Sequence, residues 1–297
     1  MIIALALAAY AVITLVSAPQ LLTRGHWRVH YPRLCLSLWY LLFLTGVAAA
    51  VASGTVAVWE GWRIQVDGDT LANSFGFGAV DWIGPATRVV GGIIGWSALA
   101  IGGALISLVA TRTQKLILAQ RRIRAEVNEL VARAGYRREL IAGTPVTYVT
   151  SRRLIACGLH RRHATDLSAA QSAMAPSNAD KSGASAEVIV SSGLDLALSA
   201  DELRAVVEHE RAHLRGGHLI FSRLAVLNQA CLPTSRTARE LGRATGLLIE
   251  LIADDAAARR CGGRPLVSAL TKIAEAEHDP TLGLRAWRIR QRLALAA

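Results

Sequence analysis

Three stretches of this chain carry no charged residue: Ile2 to Leu22, Leu34 to Ala52 and Val89 to Ala110. A helix that crosses a bilayer needs about 20 predominantly apolar residues, so each is long enough or nearly so. Hydrocarbon offers the backbone no hydrogen-bond partner, which restricts such a stretch to helix. We therefore expect three spans, at about 2–22, 34–52 and 89–110. Met1-Ile2-Ile3 supplies no positive n-region and the first run exceeds an ordinary leader core, so an anchor is expected there rather than a cleaved signal. The chain is 52% hydrophobic and only 19% charged, with mean hydropathy +0.34, but its apolar content is uneven. From Thr111 onward, charge and apolar periodicity mix as in a water-facing domain. The expected organisation is an anchor over 1–111 and a second domain over 112–297.

Lysine and arginine counts in short loops set membrane orientation. Arg24, Arg28 and Arg33 follow the first stretch with no acid among them, and Arg112, Lys115, Arg121, Arg122 and Arg124 follow the third. Both segments belong inside. The segment from about Gly54 to Arg88 carries Glu60, Asp67, Asp69 and Asp81 against Arg63 and Arg88, with Trp59, Trp62 and Trp82 as interfacial anchors, and belongs outside. This places the N-terminus outside the cell membrane and the second domain in the cytoplasm. The net charge of +11 then has a membrane explanation, so direct nucleic-acid binding is not expected. In the third stretch Gly91 and Gly95 have the small-xxx-small spacing that permits close helix contact.

The second domain contains His209-Glu210-Arg211-Ala212-His213. On a helix, residues at i and i+4 share a face, so both imidazoles can reach one zinc ion while the glutamate between them acts on water. Ser199-Ala200-Asp201-Glu202 is a capping box that starts this helix, and Gly216-Gly217 ends it. A catalytic zinc takes a third protein ligand and keeps one position open. Glu250 fits, because it stands in an apolar helical stretch, 245–255, where an unpaired carboxylate is costly to bury. Asp254, one turn later, can fix the tautomer of a ligand imidazole. Asp255 reads as a solvated helix charge.

His209-Glu210-Arg211-Ala212-His213 followed by Glu250-Leu251-Ile252-Ala253-Asp254 resembles the H-E-x-x-H plus E-x-x-x-D signature of gluzincin peptidases. The chain is most similar to BlaR/MecR-type membrane zinc metallopeptidases and their HtpX-type relatives, from roughly Thr144 to the end. The strand-like Glu187 to Leu194 leading into the capping box, and the C-terminal Arg288 to Leu293, belong to the resemblance. It implies a mainly α membrane protein, with a three-helix anchor followed by a helix-rich α+β gluzincin-type domain holding a small sheet. The implied metal ligands are His209, His213 and Glu250 around one zinc ion, with Glu210 as catalytic base and Asp254 behind the ligands. Where many relatives carry Asp five residues after the second histidine, this chain has His218, which we read as a surface residue. The resemblance does not extend to a penicillin-binding sensor domain, so β-lactam sensing is not expected.

The resemblance implies hydrolysis of peptide bonds, with a cytoplasmic repressor of winged-helix type cut in a signalling response. The alternatives are HtpX-type quality control of membrane proteins, and a non-catalytic signalling protein with a structural zinc. Expected partners are a protein or peptide substrate and the lipid bilayer; a homo-oligomer stays open. A peptide would add to an edge strand at Val188, Ile189 and Val190. No tyrosine follows residue 148, which leaves His278 or Arg285 to contact an oxyanion or the substrate. The four cysteines form no C-x-x-C pair, as suits a reducing compartment. Residues 164–186, rich in Ala, Ser, Asp and Asn, read as a flexible insertion. Leu219 to Leu232, apolar but too short to span, is expected to be a helix of the second domain.

Overall fold

The structure is a computed structural model that describes residues 2–23, 27–74, 83–162, 184–216 and 218–296. It forms two compact units: 1–119 with 223–246, and 120–222 with 247–297. The sequence reading, with one boundary near 111, did not contain the return of 223–246 to the first unit.

The first unit is helical. It contains α1 (Ile2–Thr23), α2 (Trp27–His30), α3 (Pro32–Ser74) and most of the apolar part of α4 (Ile83–Ala134). Segments Pro32–Ile64 and Val89–Ala134 are long and apolar enough to cross a membrane, whereas Ile2–Ser17 is a shorter apolar helix. The three-span expectation is therefore matched by two candidate spans at the strength of length and composition. α1 packs on α3, where Ser53 donates to the Ala4 carbonyl at 2.8 Å and Tyr10 donates to Thr45 at 3.2 Å. α3 meets α4 through glycines. A Cβ on Gly61 would stand 2.8 Å from the Gly95 nitrogen and 2.9 Å from the Gly91 oxygen, so only hydrogen fits between these backbones. Outward-facing Val51, Ile101 and Ile106 are exposed, as residues that meet lipid would be.

The segment expected as a loop at 54–88 is mostly helix. α3 runs unbroken to Ser74, and only 75–82, which include Asp81 and Trp82, lie outside the described residues. Val56, Val58, Trp59, Trp62 and Ile64 keep the helix apolar past Ala52. A helix of 33 apolar-rich residues is about 50 Å long, more than the hydrocarbon needs, and nothing in it forces a break.

The second unit is built on a sheet of β1 (Gly135–Ile141), β2 (Thr144–Val149), β3 (Ala156–Arg162) and β4 (Ala184–Ser191), in the order β1-β2-β4-β3. β2 and β4 are parallel, and the other pairs are antiparallel. Ala142 and Gly143, both at positive φ, turn β1 into β2. The expected flexible insertion falls on residues outside those described, except that 184–186 begin β4.

β4 is interior, which corrects the expectation that Val188, Ile189 and Val190 form an edge. Glu187 to Ser191 are all buried. Val188 and Val190 face a cluster with Val146, Tyr148, Leu203, Val206 and Val207, whereas Ile189 faces Val131 and Val149. A continuous apolar run of this kind marks a strand covered on both faces and paired on both sides. Among the described residues, the edge strands are β1 and β3.

After the short α5 (Ser192–Ala197) come α6 (Ala200–Arg215), α7 (His218–Cys231), α8 (Arg236–Cys261), α9 (Gly263–Glu277) and α10 (Pro280–Ala296). The capping box at α6 forms as read: Ser199 Oγ accepts from Glu202 N–H, and the Glu202 carboxylate accepts from Ser199 N–H at 2.7 Å. Glu202 also accepts from Ser268 at 2.6 Å and pairs with Lys272 at 2.8 Å, tying the start of α6 to α9. Burial opposes its ionisation, but these donors prevail and lower its pKa to about 2. α7 coincides closely with the apolar stretch expected at 219–232, but from Arg223 onward it belongs to the first unit.

Candidate metal centre

α6 buries Leu203, Val206 and Val207 against the sheet, which fixes the rotation of the helix and turns His209 and His213 to one side together. α8 brings Glu250 opposite them, and Asp254 follows one turn on. One ligand atom each from His209, His213 and Glu250 lie within 4.8 Å of one another. The two Nε2 atoms are 3.0 Å apart, and the Glu250 carboxylate stands 3.2 Å from His209 Nε2 and 3.4 Å from His213 Nε2. His209 Nδ1 lies 2.9 Å from Asp254 Oδ1, off the line of an ideal hydrogen bond, so Asp254 backs the ring while Nε2 faces the cluster.

Arg285, from α10, completes this centre. It donates from Nε to Asp254 Oδ2 at 2.8 Å and from Nη2 to Oδ1 at 2.7 Å, and its Nη1 stands 2.9 Å from Glu250 Oε2. Both side chains of the bidentate pair are buried, and Asp254 is fully so. Of the two residues proposed for an oxyanion or substrate contact, Arg285 is thus in the centre, with three of its five N–H donors engaged by carboxylates. His278 is elsewhere. It caps α9 with a left-handed backbone, φ 54°, and lines a separate groove with Trp287 and Arg290.

Burial raises the pKa of Glu210, a cost that the flanking histidines and a backbone hydrogen bond offset only in part. That bond comes from the Gly158 N–H of β3, at 3.0 Å to Oε2. Gly158 was not read from the sequence as a site residue. A Cβ there would meet Leu214 Cγ at 2.8 Å, so glycine lets the edge strand settle on α6 and reach Glu210. Burial raises the pKa of Glu250 and Asp254 too, but contacts with the imidazoles and with Arg285 outweigh it and keep both carboxyls below their ordinary range. For His209 burial lowers the pKa, yet Asp254 and Glu250 raise it to about 9.

Asp255 is a correction. It is buried rather than solvated and holds Arg288 through two contacts, at 2.7 and 2.9 Å, with Arg292 at 2.6 Å. Adjacent acids on α8 are therefore held by arginines one turn apart on α10, and this clamp sets the position of Arg285.

The geometry gives two nitrogen donors and one carboxylate converging beside a half-buried base and a strand that is at the sheet edge among the described residues. A family model described as peptidase family M48 matches residues 118–258. No curated protein and no solved structure matches the chain.

Proposed function

We propose that the chain is an integral membrane zinc endopeptidase, a reading supported by the match of residues 118–258 to the model of peptidase family M48. The observation that carries the reading is the convergence of His209, His213 and Glu250 donor atoms beside the Glu210 carboxylate. Two imidazole nitrogens and one carboxylate oxygen suit zinc at a site that leaves a position for substrate. A zinc ion held there would supply Lewis acidity toward the scissile carbonyl and make attacking water more acidic. Glu210 then takes a proton from the attacking water and passes it to the leaving amine. The Gly158 amide orients Glu210 for this, and Asp254 orients His209. Arg285 holds Asp254 and Glu250 in place. An extended peptide lies along the outer edge of β3, where main-chain hydrogen bonds supply affinity.

In this reading the anchor consists of three spans, the N-terminus is outside and the metal centre faces the cytoplasm, as the arginine distribution supports. The substrate is a cytoplasmic protein, with a winged-helix repressor as the specific case. The test is Glu210→Gln in the full chain. The variant should retain one zinc per chain by elemental analysis and lose about a hundred- to ten-thousand-fold in kcat on an unfolded protein substrate. Undiminished proteolysis would reject the role of Glu210. Broad cleavage of many unfolded substrates by the parent enzyme, with no preference for a repressor, would favour quality control of membrane proteins.

A further inference from the structure

On the side of α6 away from the metal ligands, arginines gather around one buried acid. At about 100° per residue, Glu208, Arg211 and Arg215 form a single stripe of the helix, and Arg211 lies roughly opposite His209 and His213. Glu208 is only 4% exposed. Its Oε1 stands 2.8 Å from Arg211 Nη1, and its Oε2 stands 3.5 Å from Nε of Arg260, which comes from the last turn of α8. Arg211 Nη1 also donates to the Ala142 carbonyl at 2.9 Å, which pins it to the turn between β1 and β2. Arg215, one turn on, lies within electrostatic reach of Arg211, Arg260 and Glu208, and among the described residues it has no hydrogen bond or ion pair.

Three guanidinium groups against one carboxylate leave an excess of two positive charges. A helix C-terminus attracts cations because its dipole places about half a negative charge there. Two such ends do not account for Arg215, Arg259 and Arg260 in their last turns with Arg211 beside them. Glu208 takes up only Nη1 of Arg211 and the Nε side of Arg260, so among the described residues the outer N–H groups of these two forks and all five of Arg215 are available. We infer that these outer N–H groups form a site for a dianionic phosphoryl group, free phosphate or the monoester headgroup of a lipid, bridging Arg211, Arg215 and Arg260. Planar guanidinium forks match phosphate oxygens in pairs, which compact ammonium groups do not. Glu208 beneath holds two of the three forks in position and offsets part of their mutual repulsion before the anion arrives. The bound anion joins the end of α6 to the end of α8. This inference does not rest on the peptidase reading.

The experiment is calorimetric titration of the full, zinc-loaded chain in detergent with inorganic phosphate, at about pH 8, where the dianion dominates. One phosphate per chain should bind saturably, with sulfate competing and nitrate not. Arg215→Gln and Arg260→Gln should each weaken binding about 10–100-fold, the scale of a lost charge-assisted hydrogen bond. Arg290→Gln, on α10, should leave it unchanged, and so should removal of zinc by a chelator. If Arg215→Gln does not fold, Arg215→Lys, which keeps the charge and loses the fork, should still weaken binding several-fold. Micellar short-chain phosphatidic acid, a monoester, identifies the source: tighter competition than phosphate assigns the site to a lipid, and weaker competition assigns it to the free ion. Absence of saturable phosphate binding by the folded parent chain overturns the inference. Equal weakening by Arg290→Gln and Arg215→Gln overturns it too, because it marks attraction to the basic surface at large. Binding that disappears with the zinc places phosphate at the metal and has the same consequence.

Discussion

Replacing Asp254 by Asn tests how much the centre depends on the carboxylate behind it. Asp254 is fully buried and answers two groups, the Arg285 guanidinium at 2.7 and 2.8 Å and His209 Nδ1 at 2.9 Å. Asparagine keeps the shape but removes the charge and presents one acceptor where two were used. Removing one partner of a buried ion pair costs about 3–5 kcal/mol. Glu250 remains 2.9 Å from Arg285 and supplies some compensation, so we take the lower end, about 3 kcal/mol. At roughly 2–4 °C per kcal/mol for a domain of this size, chelated protein should melt about 6–12 °C lower. Zinc affinity, read by competition with a chromophoric chelator, should fall about 10–100-fold because the imidazole loses its orienting acceptor. The double variant Asp254→Asn, Arg285→Gln should cost less than the two single changes combined, since the stranded charge is gone. A melting point within 2 °C of the parent (roughly the scale of 1 kcal/mol), together with unchanged zinc affinity, would refute the reasoning.

The raised pKa of His209 sets two pH dependences. Its protonated form is favoured in the fold, so in chelated protein this contribution is complete below about 6.5 and is lost as pH rises through about 9; thermal scans across that window should show the loss. Zinc has to displace the same proton, so its apparent affinity should rise about tenfold per unit between pH 6 and 8, and a flat profile would contradict the carboxylate contacts. Gly158→Ala places a methyl 2.8 Å from Leu214 Cγ and should reduce kcat at near-normal zinc content; adding Leu214→Ala should restore much of it, and failure to do so in a folded double variant would remove the steric explanation.

The helix that carries His209 and His213 was legible because its cap, its apolar stripe and its motif are all local. Ser199 and Glu202 are three residues apart, and Val206 and His209 are three residues apart. Glu250 was legible by a different argument, the cost of a carboxylate in an apolar helix. The same argument failed for Asp255, whose partners Arg288 and Arg292 are 33 and 37 residues away and are brought to it only by the packing of α10 on the domain core. Gly158 could not be found either, because its role depends on the approach of β3 to Leu214 and Glu210, each more than 50 residues on. The uninterrupted run Val188 to Val190 did contain the signal for an interior strand, since an exposed edge would favour alternation or a charge. Spacing marks where α6 begins and ends; it does not mark which strand is last in the sheet.

The charges of the centre explain why these groups go together. Glu210, Glu250 and Asp254 are three carboxyl groups, and Arg285 is the guanidinium in direct contact with two of them. With all three ionised, two negative charges are left uncompensated in a largely buried space, which is costly unless cations balance them. A divalent ion at the convergent donors of His209, His213 and Glu250 supplies that balance, and the same excess of negative charge holds a proton on His209 when no ion competes for it. Glu210 is pulled both ways: burial above all, and then neighbouring Glu250, oppose its ionisation, whereas the histidines and the Gly158 amide favour it. A carboxylate poised in this way accepts a proton more readily than an exposed one, as a base that must later return the proton to an amine requires.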